Sequence, residues 1–361
     1  VWVHCLKDER RKLQKIADVK TRIFTMAPVE VTLASRALTM HFSAALHRAR
    51  GSLFSAIGVN PAGPEWTRFY HSLREVSEHG GDGDYGQYDG TLDPDCIQDA
   101  MKLMAEWILR KSENKDYIVT FRDGRVVEFT PQEMLRAFEL LSIEFTHTRQ
   151  LVTDVLHRKH QGNPSGNVIT VVLNTLVGEM YLMQAWLALS ANREKKEVRI
   201  GIDDYFTYVR DLIYGDDNIY AIGTEVEDWF NPPAIAQFFE EFGIEYTTAD
   251  KSGSAQTLKK VDNLRFLKRG FVPDPEFPNF IRAPIDTDTI HELTNWIREC
   301  DDEEDQLRTQ IETALAEAMM HGEEFFSSFI TKVNTALSEV GIKPFVNDYE
   351  ERVAHWRDSY F

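Results

Sequence analysis

Leu212 to Tyr220 reads LIYGDDNIY, a glycine and two adjacent aspartates between two short apolar runs rich in strand-forming residues. A hairpin is the simplest fold for such a stretch, because glycine lets the chain reverse in a tight connection between strands. Its tip then carries Asp216 and Asp217. Most adjacent Asp pairs are solvated turn residues. If the tip points into a cleft instead, two carboxylates repel one another unless a cation joins them, and oxygen ligands select a hard divalent metal. The rest of the chain decides between these readings.

At 361 residues the chain can bury a large core and suggests two or three subdomains. Cys5, Cys96 and Cys300 show no paired spacing, which argues against a disulfide framework or a zinc site and fits a reducing compartment. The only Asn-x-Ser pattern has proline in the middle, Asn163-Pro164-Ser165, and is no glycosylation acceptor. The net charge of −18 looks wrong for a nucleic-acid protein, but it is unevenly spread. Residues 1–50 hold 10 Lys/Arg against 4 Asp/Glu, whereas residues 285–361 hold 6 against 18. A basic N-terminal arm can meet polyphosphate while an acidic C-terminal part keeps the molecule soluble. The sequence starts at Val1 without a signal-type segment and reads as excised from something longer. The apolar run Val168 to Ser190 contains Asn174, Glu179 and Gln184, each costly in lipid, so a buried helix is expected there and no transmembrane segment.

Periodicity and turn chemistry place helices over Leu33 to Ser55, Glu65 to Glu78 and Asp95 to Lys111, a hairpin over Tyr117 to Phe129, and helices from Thr130 to Val152 and from Pro233 to Phe242. Thr130 and Glu133 stand in capping-box spacing. HGGDGDYGQYDG, from His79, reads as a glycine-rich loop, LRFLKRGFV, from Leu264, as a short strand pair, and the chain from Ile285 as acidic helices. Few strands scattered among helices imply an α+β fold.

Three further stretches carry candidate chemistry. Gly81-x-Gly83-x-x-Gly86 is not a dinucleotide fingerprint, since a helix and not a strand is expected before it, and a calcium loop from Asp82 lacks its glycine and glutamate. Asp84 and Asp89 remain, five apart: a solvated acidic loop is the favoured reading of this stretch alone, while a strand-to-turn setting would let Asp84 face a metal and Asp89 a ligand. GNPSGNVITVVLN, from Gly162, opens with loop formers and runs into a helix, with Ser165 near its start and Thr170 and Asn174 four apart on one face. KDERRKLQKIADVKTR, from Lys7, spaces Lys7, Arg11, Lys15, Lys20 and Arg22 ahead of an apolar strand, where their charges can converge on phosphates.

In order, these pieces resemble the motifs of picorna-like viral RNA-dependent RNA polymerases: motif F in KDERR…KTR, A in DYGQYD, B in GNPSGNVITVVLN, C in YGDD, D in ADKS and E in FLKRGF. They run from Lys7 to Phe271, and the remainder resembles a thumb by position and length. Two departures fall in motif F: Arg10 where Leu is frequent, and Val19 where Gly is common. The interval from Asp89 to Ser165 is also long, and the Tyr117–Phe129 hairpin with its following helix accounts for the extra length. The resemblance implies a right-hand polymerase palm, a small antiparallel sheet packed on helices, with partial fingers and a helical thumb. The expected division is residues 1–37 partial fingers, 38–108 palm, 109–160 fingers insertion, 161–275 palm and 276–361 thumb.

It also implies site roles. Asp84 and Asp216 hold two divalent ions with Asp217 in support, Mg²⁺ being the expected metal and Mn²⁺ a substitute. Arg22, Lys20 and Lys15 neutralise the triphosphate, and Arg11 shapes the channel. Asp89, Ser165 and Asn174 recognise the ribose 2′-hydroxyl with Thr170 nearby. Lys251 protonates pyrophosphate. Gly166, Phe266, Leu267, Lys268 and Arg269 contact primer and template. Expected partners are RNA template and primer, nucleoside triphosphates, a genome-linked protein primer and other viral replication proteins. The expected setting is the host cytoplasm, at virus-induced membranes, and the expected source a polyprotein. A catalytically silent RNA-binding palm and thumb fragment and a reverse transcriptase are the rival readings, the latter disfavoured because Asp89 and Asn174 offer hydrogen bonds where a bulky residue would be expected.

Overall fold

A computed structural model describes all residues except 10, 12, 114, 193–199, 248–256, 298, 347 and 361. Lys251 and the rest of the proposed motif D therefore lie outside the described residues.

The central sheet is antiparallel. Its strands run in the order Tyr246–Thr247, His79–Tyr85, Asp217–Ile222, Val209–Tyr214, and Lys259–Lys260 also pairs with His79–Tyr85. Strand alternation divides the core between the two faces. Leu212, Ile219 and Ala221 pack with Trp66, Phe69 and Leu73 of the helix Pro64–Val76. Ile213, Tyr220 and Ile222 face the other way, onto a larger core that includes Leu173, Val177 and Tyr181 of the helix Thr170–Asn192. That helix is the buried one anticipated from Val168 to Ser190, and none of the described helices is long and apolar enough to cross a membrane.

The glycine-rich stretch is not a loop. His79–Tyr85 is a strand, buried over most of its length. Its glycines answer crowding, since a Cβ at Gly80 would lie 2.0 Å from the Tyr220 carbonyl oxygen and one at Gly83 1.9 Å from the Tyr246 hydroxyl. A strand that aromatic residues and a neighbouring backbone approach this closely has no room for side chains there.

A second sheet of four strands orders Ile23–Met26, Trp2–Leu6, Arg149–Val152 and Val155–Arg158. Its strand Trp2–Leu6 runs antiparallel to Ile23–Met26 and parallel to Arg149–Val152, so the basic segment is clamped at both ends. Trp2 is fully buried, and its indole N–H donates to Glu144. The helix beginning after the Thr130–Glu133 capping box stops at Thr146, not Val152, because the following residues turn into the hairpin of this sheet. The hairpin Tyr117–Thr120 with Val126–Phe129 stands as expected.

Within Leu264 to Val272 the expected strand pair shrinks to a single antiparallel bridge between Phe266 and Arg269. Phe266 and Arg269 close a tight turn through reciprocal backbone hydrogen bonds, with Leu267 and Lys268 both at positive φ. The paired strands come later, at Val272–Pro273 and Ile281–Arg282. A separate acidic layer follows, with the helices Thr287–Leu293, Glu303–Met319, Glu323–Glu339 and Tyr349–Tyr360 around Ile311, Leu315, Phe326, Phe329 and Trp356.

The expected boundaries at 37/38 and 108/109 fall inside the continuous helices Val29–Arg48 and Pro94–Lys111. The boundary at 275/276 splits the last strand pair, whose second strand Ile281–Arg282 packs on the helix Pro64–Val76.

Candidate active site

Val209–Tyr214 and Asp217–Ile222 pair to their ends, Tyr214 opposite Asp217, which leaves Gly215 and Asp216 as a two-residue turn. Gly215 adopts φ +66°, a value that glycine takes without strain. The neighbouring strand pairs Gly83 with Asn218, and one further step in that register sets Asp84 beside Asp217. Asn218 is buried and holds the corner: its amide donates to the carbonyls of Gly83 and Asp216, and its oxygen accepts from Tyr246. From behind, the hydroxyl oxygen of buried Thr175 accepts the Gly215 N–H at 2.9 Å.

Although Asp216 is exposed at the tip, its carboxyl stands above the usual carboxylate range. Desolvation is the largest cause; its own backbone N–H opposes that, the negative charges of Asp84 and Asp89 add to it, and Arg22 opposes them. Four charged residues from three separate stretches thus converge on one cleft. Two acids near a third, with a cation opposite, is an arrangement that favours a divalent cation between them.

Asp89 is held in a chain of amides. Asn174 Nδ2 donates to Asp89 Oδ1 at 2.6 Å, Asn163 Nδ2 donates to Asn174 Oδ1 at 2.9 Å, and Asn167 Nδ2 donates to Asn163 Oδ1 at 3.2 Å. The other predicted ribose contacts are engaged elsewhere. Ser165 Oγ accepts the backbone N–H of Thr25, and the Thr170 hydroxyl donates to the carbonyls of Pro164 and Asn167. Gly166 lies against the same strand as Ser165, and a Cβ there would sit 1.8 Å from the Thr25 carbonyl oxygen. The loop before the helix is therefore pinned to the strand Ile23–Met26, and the Thr170 hydroxyl ties the start of the helix back to that loop.

In the basic segment, Glu9 gathers Lys7, Arg11 and Arg22 at 3.6, 3.5 and 3.3 Å. Arg11 also donates to the Lys20 carbonyl, bracing the short helix Leu13–Ala17 between the two strands. Lys15 and Lys20 are exposed, Lys20 near Asp18.

Comparison with known proteins adds an observation of another kind. Residues 1–337 match the family described as viral RNA-dependent RNA polymerase. The chain belongs to that family. It is 31% identical over 357 residues to a genome polyprotein of Rice tungro spherical virus, covering 98% of this chain and 10% of the relative. It is 30% identical over 336 residues to a replicase polyprotein of Drosophila C virus, covering 92% and 18%. The chain thus spans a tenth to a fifth of the length of these relatives. Among solved structures, the Sicinivirus 3Dpol RNA-dependent RNA polymerase superposes with a TM-score of 0.78 at 25% identity, covering 99% of this chain and 67% of that one. The picorna-like resemblance and the right-hand α+β architecture both stand.

In this polymerase-family chain the proposed primer grip needs correction. Phe266 is 1% exposed and stacks on Trp66, and Arg269 forms a bidentate pair with Glu317 at 2.7 and 2.6 Å. Burial commits the Phe266 ring to the core, and pairing commits the Arg269 side chain to Glu317. Lys268 alone of the four is exposed, at the tip of the turn, with Leu267 half-buried beside it.

The sequence did not single out four residues of this candidate site. Thr175 and Asn218 brace the turn, Asn163 orients Asn174, and Lys159 lies close enough to Asp89 to feel its charge, burial pulling the amine's pKa down while Asp89 opposes. The Asn-Pro before Ser165 and the Asn after the aspartate pair were signals for Asn163 and Asn218. Nothing in the sequence pointed to Lys159.

Proposed function

We propose that this chain carries the polymerising centre of a positive-strand RNA virus replicase, joining nucleoside triphosphates to an RNA 3′-hydroxyl on an RNA template and so copying the viral genome. The convergence of Asp84, Asp89, Asp216 and Arg22 carries the reading, because it sets carboxylates for metal beside a cation for phosphate.

The donor set fits a divalent ion that substrate completes. Among the described residues no group of three His, Cys, Asp or Glu side chains encloses a metal by itself. Mg²⁺ is commonly held in just that way, by one or two carboxylates together with water and substrate phosphates, and Mn²⁺ can replace it. Asp84 and Asp216 would hold it, with Asp217 in support. When bound, a pair of such ions lowers the pKa of the attacking hydroxyl and neutralises the leaving pyrophosphate.

The chain's own residues would do the rest. Arg22, Lys20 and Lys15 would bind the triphosphate, and Arg11 would hold the segment in shape through Lys20. Asp89, oriented by Asn174 and Asn163, would accept a hydrogen bond from the ribose 2′-hydroxyl. That preference favours a polymerase of ribonucleotides over a reverse transcriptase, since a site built for a hydroxyl is left with unmet polar groups by a deoxyribose. Lys251 would protonate pyrophosphate. Lys268 would contact the primer backbone. The palm would centre on the five-strand sheet, the fingers on the four-strand sheet and the thumb on the acidic helices. A genome-linked protein primer, other replication proteins and membrane-bound sites in the host cytoplasm complete the proposed setting.

The test is incorporation of labelled nucleotides on an RNA template with primer, with and without Mg²⁺. Metal-dependent extension by the wild-type chain, lost in Asp216→Ala, is the expected result. RNA binding without extension, in the presence of Mg²⁺ and Mn²⁺, would instead leave a silent RNA-binding fragment.

A further inference from the structure

Behind the catalytic hairpin, two carboxyl groups meet in the core. Glu179 lies on the helix Thr170–Asn192, one turn beyond Thr175, and Asp211 on the strand Val209–Tyr214 that leads into the Gly215–Asp216 turn. They are 4% and 3% exposed. Alternation along the strand sends their nearest cation away, for Arg210 turns to the opposite face and donates to the carbonyls of Gly51 and Leu53 and to the Ser72 hydroxyl. No N–H or O–H of the described residues donates to either oxygen of Glu179; what it faces is the Asp211 carboxyl. Asp211 accepts one hydrogen bond besides, from the Tyr205 hydroxyl at 2.6 Å.

Two ionised carboxylates cannot face one another in such a place, since burial removes the water that would screen them. A single proton between them satisfies both. We propose that Glu179 and Asp211 share one proton across the helix–strand interface, and that this bond is a positioning device holding the helix of Asn174 and Thr175 in register with the hairpin of Asp216. The interface is tight enough for it: Gly178 presents no side chain, and a Cβ there would lie 3.3 Å from Ile213 and 3.2 Å from the Tyr88 hydroxyl. The positioning role rests on the polymerase reading above, whereas the shared proton does not.

The surroundings agree. Burial and then Asp211 hold the Glu179 carboxyl well above its ordinary value of 4.5, with Arg210 opposing. The other titratable groups around the pair are phenols: Tyr205, Tyr85 from the glycine-rich strand, and Tyr220, opposite Asp211 in the ladder. All three are raised above the ordinary tyrosine value, so they stay neutral across the working range. The proton belongs to the pair, not to either residue. Because the folded value is raised, its stabilising contribution is complete below pH 4.5, is drawn down above it as the unfolded chain ionises, and is lost once the pH passes the folded value.

Glu179→Gln supplies a permanent amide donor to Asp211 in the same shape, so it separates the proton from the packing. Melting of the full chain is followed from acid to alkaline pH, alongside kcat and KM for nucleotide incorporation. Wild type should lose melting temperature relative to Glu179→Gln as the pH rises, and its kcat should fall on the alkaline side while the variant's does not, with KM unchanged in both. Asp211→Asn should behave like Glu179→Gln. Parallel melting curves for wild type and Glu179→Gln would overturn the shared proton, and coincident alkaline limbs in kcat would overturn the positioning role. If the wild-type chain does not extend primers at all, the polymerase reading and the positioning role fall together, and the melting curves still decide the proton.

Discussion

Asn174 donates from its side-chain amide to Asp89 Oδ1 at 2.6 Å, joining two residues 85 positions apart in sequence at the mouth of the catalytic cleft. One Asp89 oxygen is thereby fixed. Asp89→Ala and Asn174→Ala should each weaken discrimination between ribo- and deoxyribonucleotides, by up to ~10⁴-fold in a strong case. Asn163→Ala should do so more mildly, as it acts through Asn174. Incorporation efficiencies for the two sugars measure this, and an unchanged ratio in all three variants would remove the chain of amides from ribose reading.

Asp216→Ala should abolish extension yet leave the melting temperature of the metal-free protein unchanged or higher. Its carboxyl is desolvated and repelled by Asp84 and Asp89, so removing it relieves a cost of folding. Extension and melting are measured on the same preparation. Loss of both would mean that Asp216 holds the fold together.

Thr175→Val removes the acceptor of the Gly215 N–H while keeping the shape of the side chain. Thr175 is fully buried, and an unmet buried N–H costs roughly 1–3 kcal/mol. Denaturant unfolding should show a loss of that order, and kcat should fall with it because the turn carrying Asp216 loses its brace. A stable variant with full kcat would show that the strand pairing alone positions the turn.

Lys268→Ala and Arg269→Ala should part company. Arg269 is tied to Glu317 and to the Ala283 carbonyl, so its loss should lower stability by roughly 1.5–3 kcal/mol, as expected for hydrogen bonds to a charged group. Lys268 is exposed at the turn, and its removal should weaken primer binding with little effect on unfolding. Primer affinity and denaturant midpoints, compared across the two variants, separate the roles. A primer defect confined to Arg269→Ala would restore the assignment that its ion pair now argues against.

The sequence by itself determined the parts whose physics is local. The two-residue turn at Gly215–Asp216, the capping box at Thr130 and Glu133, the hairpin from Tyr117 and the buried apolar helix from Thr170 each depend on neighbours within a few residues, and all four are present. The order of the motifs likewise pointed to the polymerase family, because order is a property of the chain. Tertiary structure decided whatever depends on partners far away. The glycines from Gly80 to Gly83 look like a loop in sequence and form a strand because Tyr220 and Tyr246 crowd it. Phe266 and Arg269 look like a primer contact and are claimed instead by Trp66 and Glu317, whose distance along the chain hides them. The pairing of Glu179 with Asp211 was equally hidden, since the energy of a buried charge is set by what surrounds it in space and not by its neighbours in sequence.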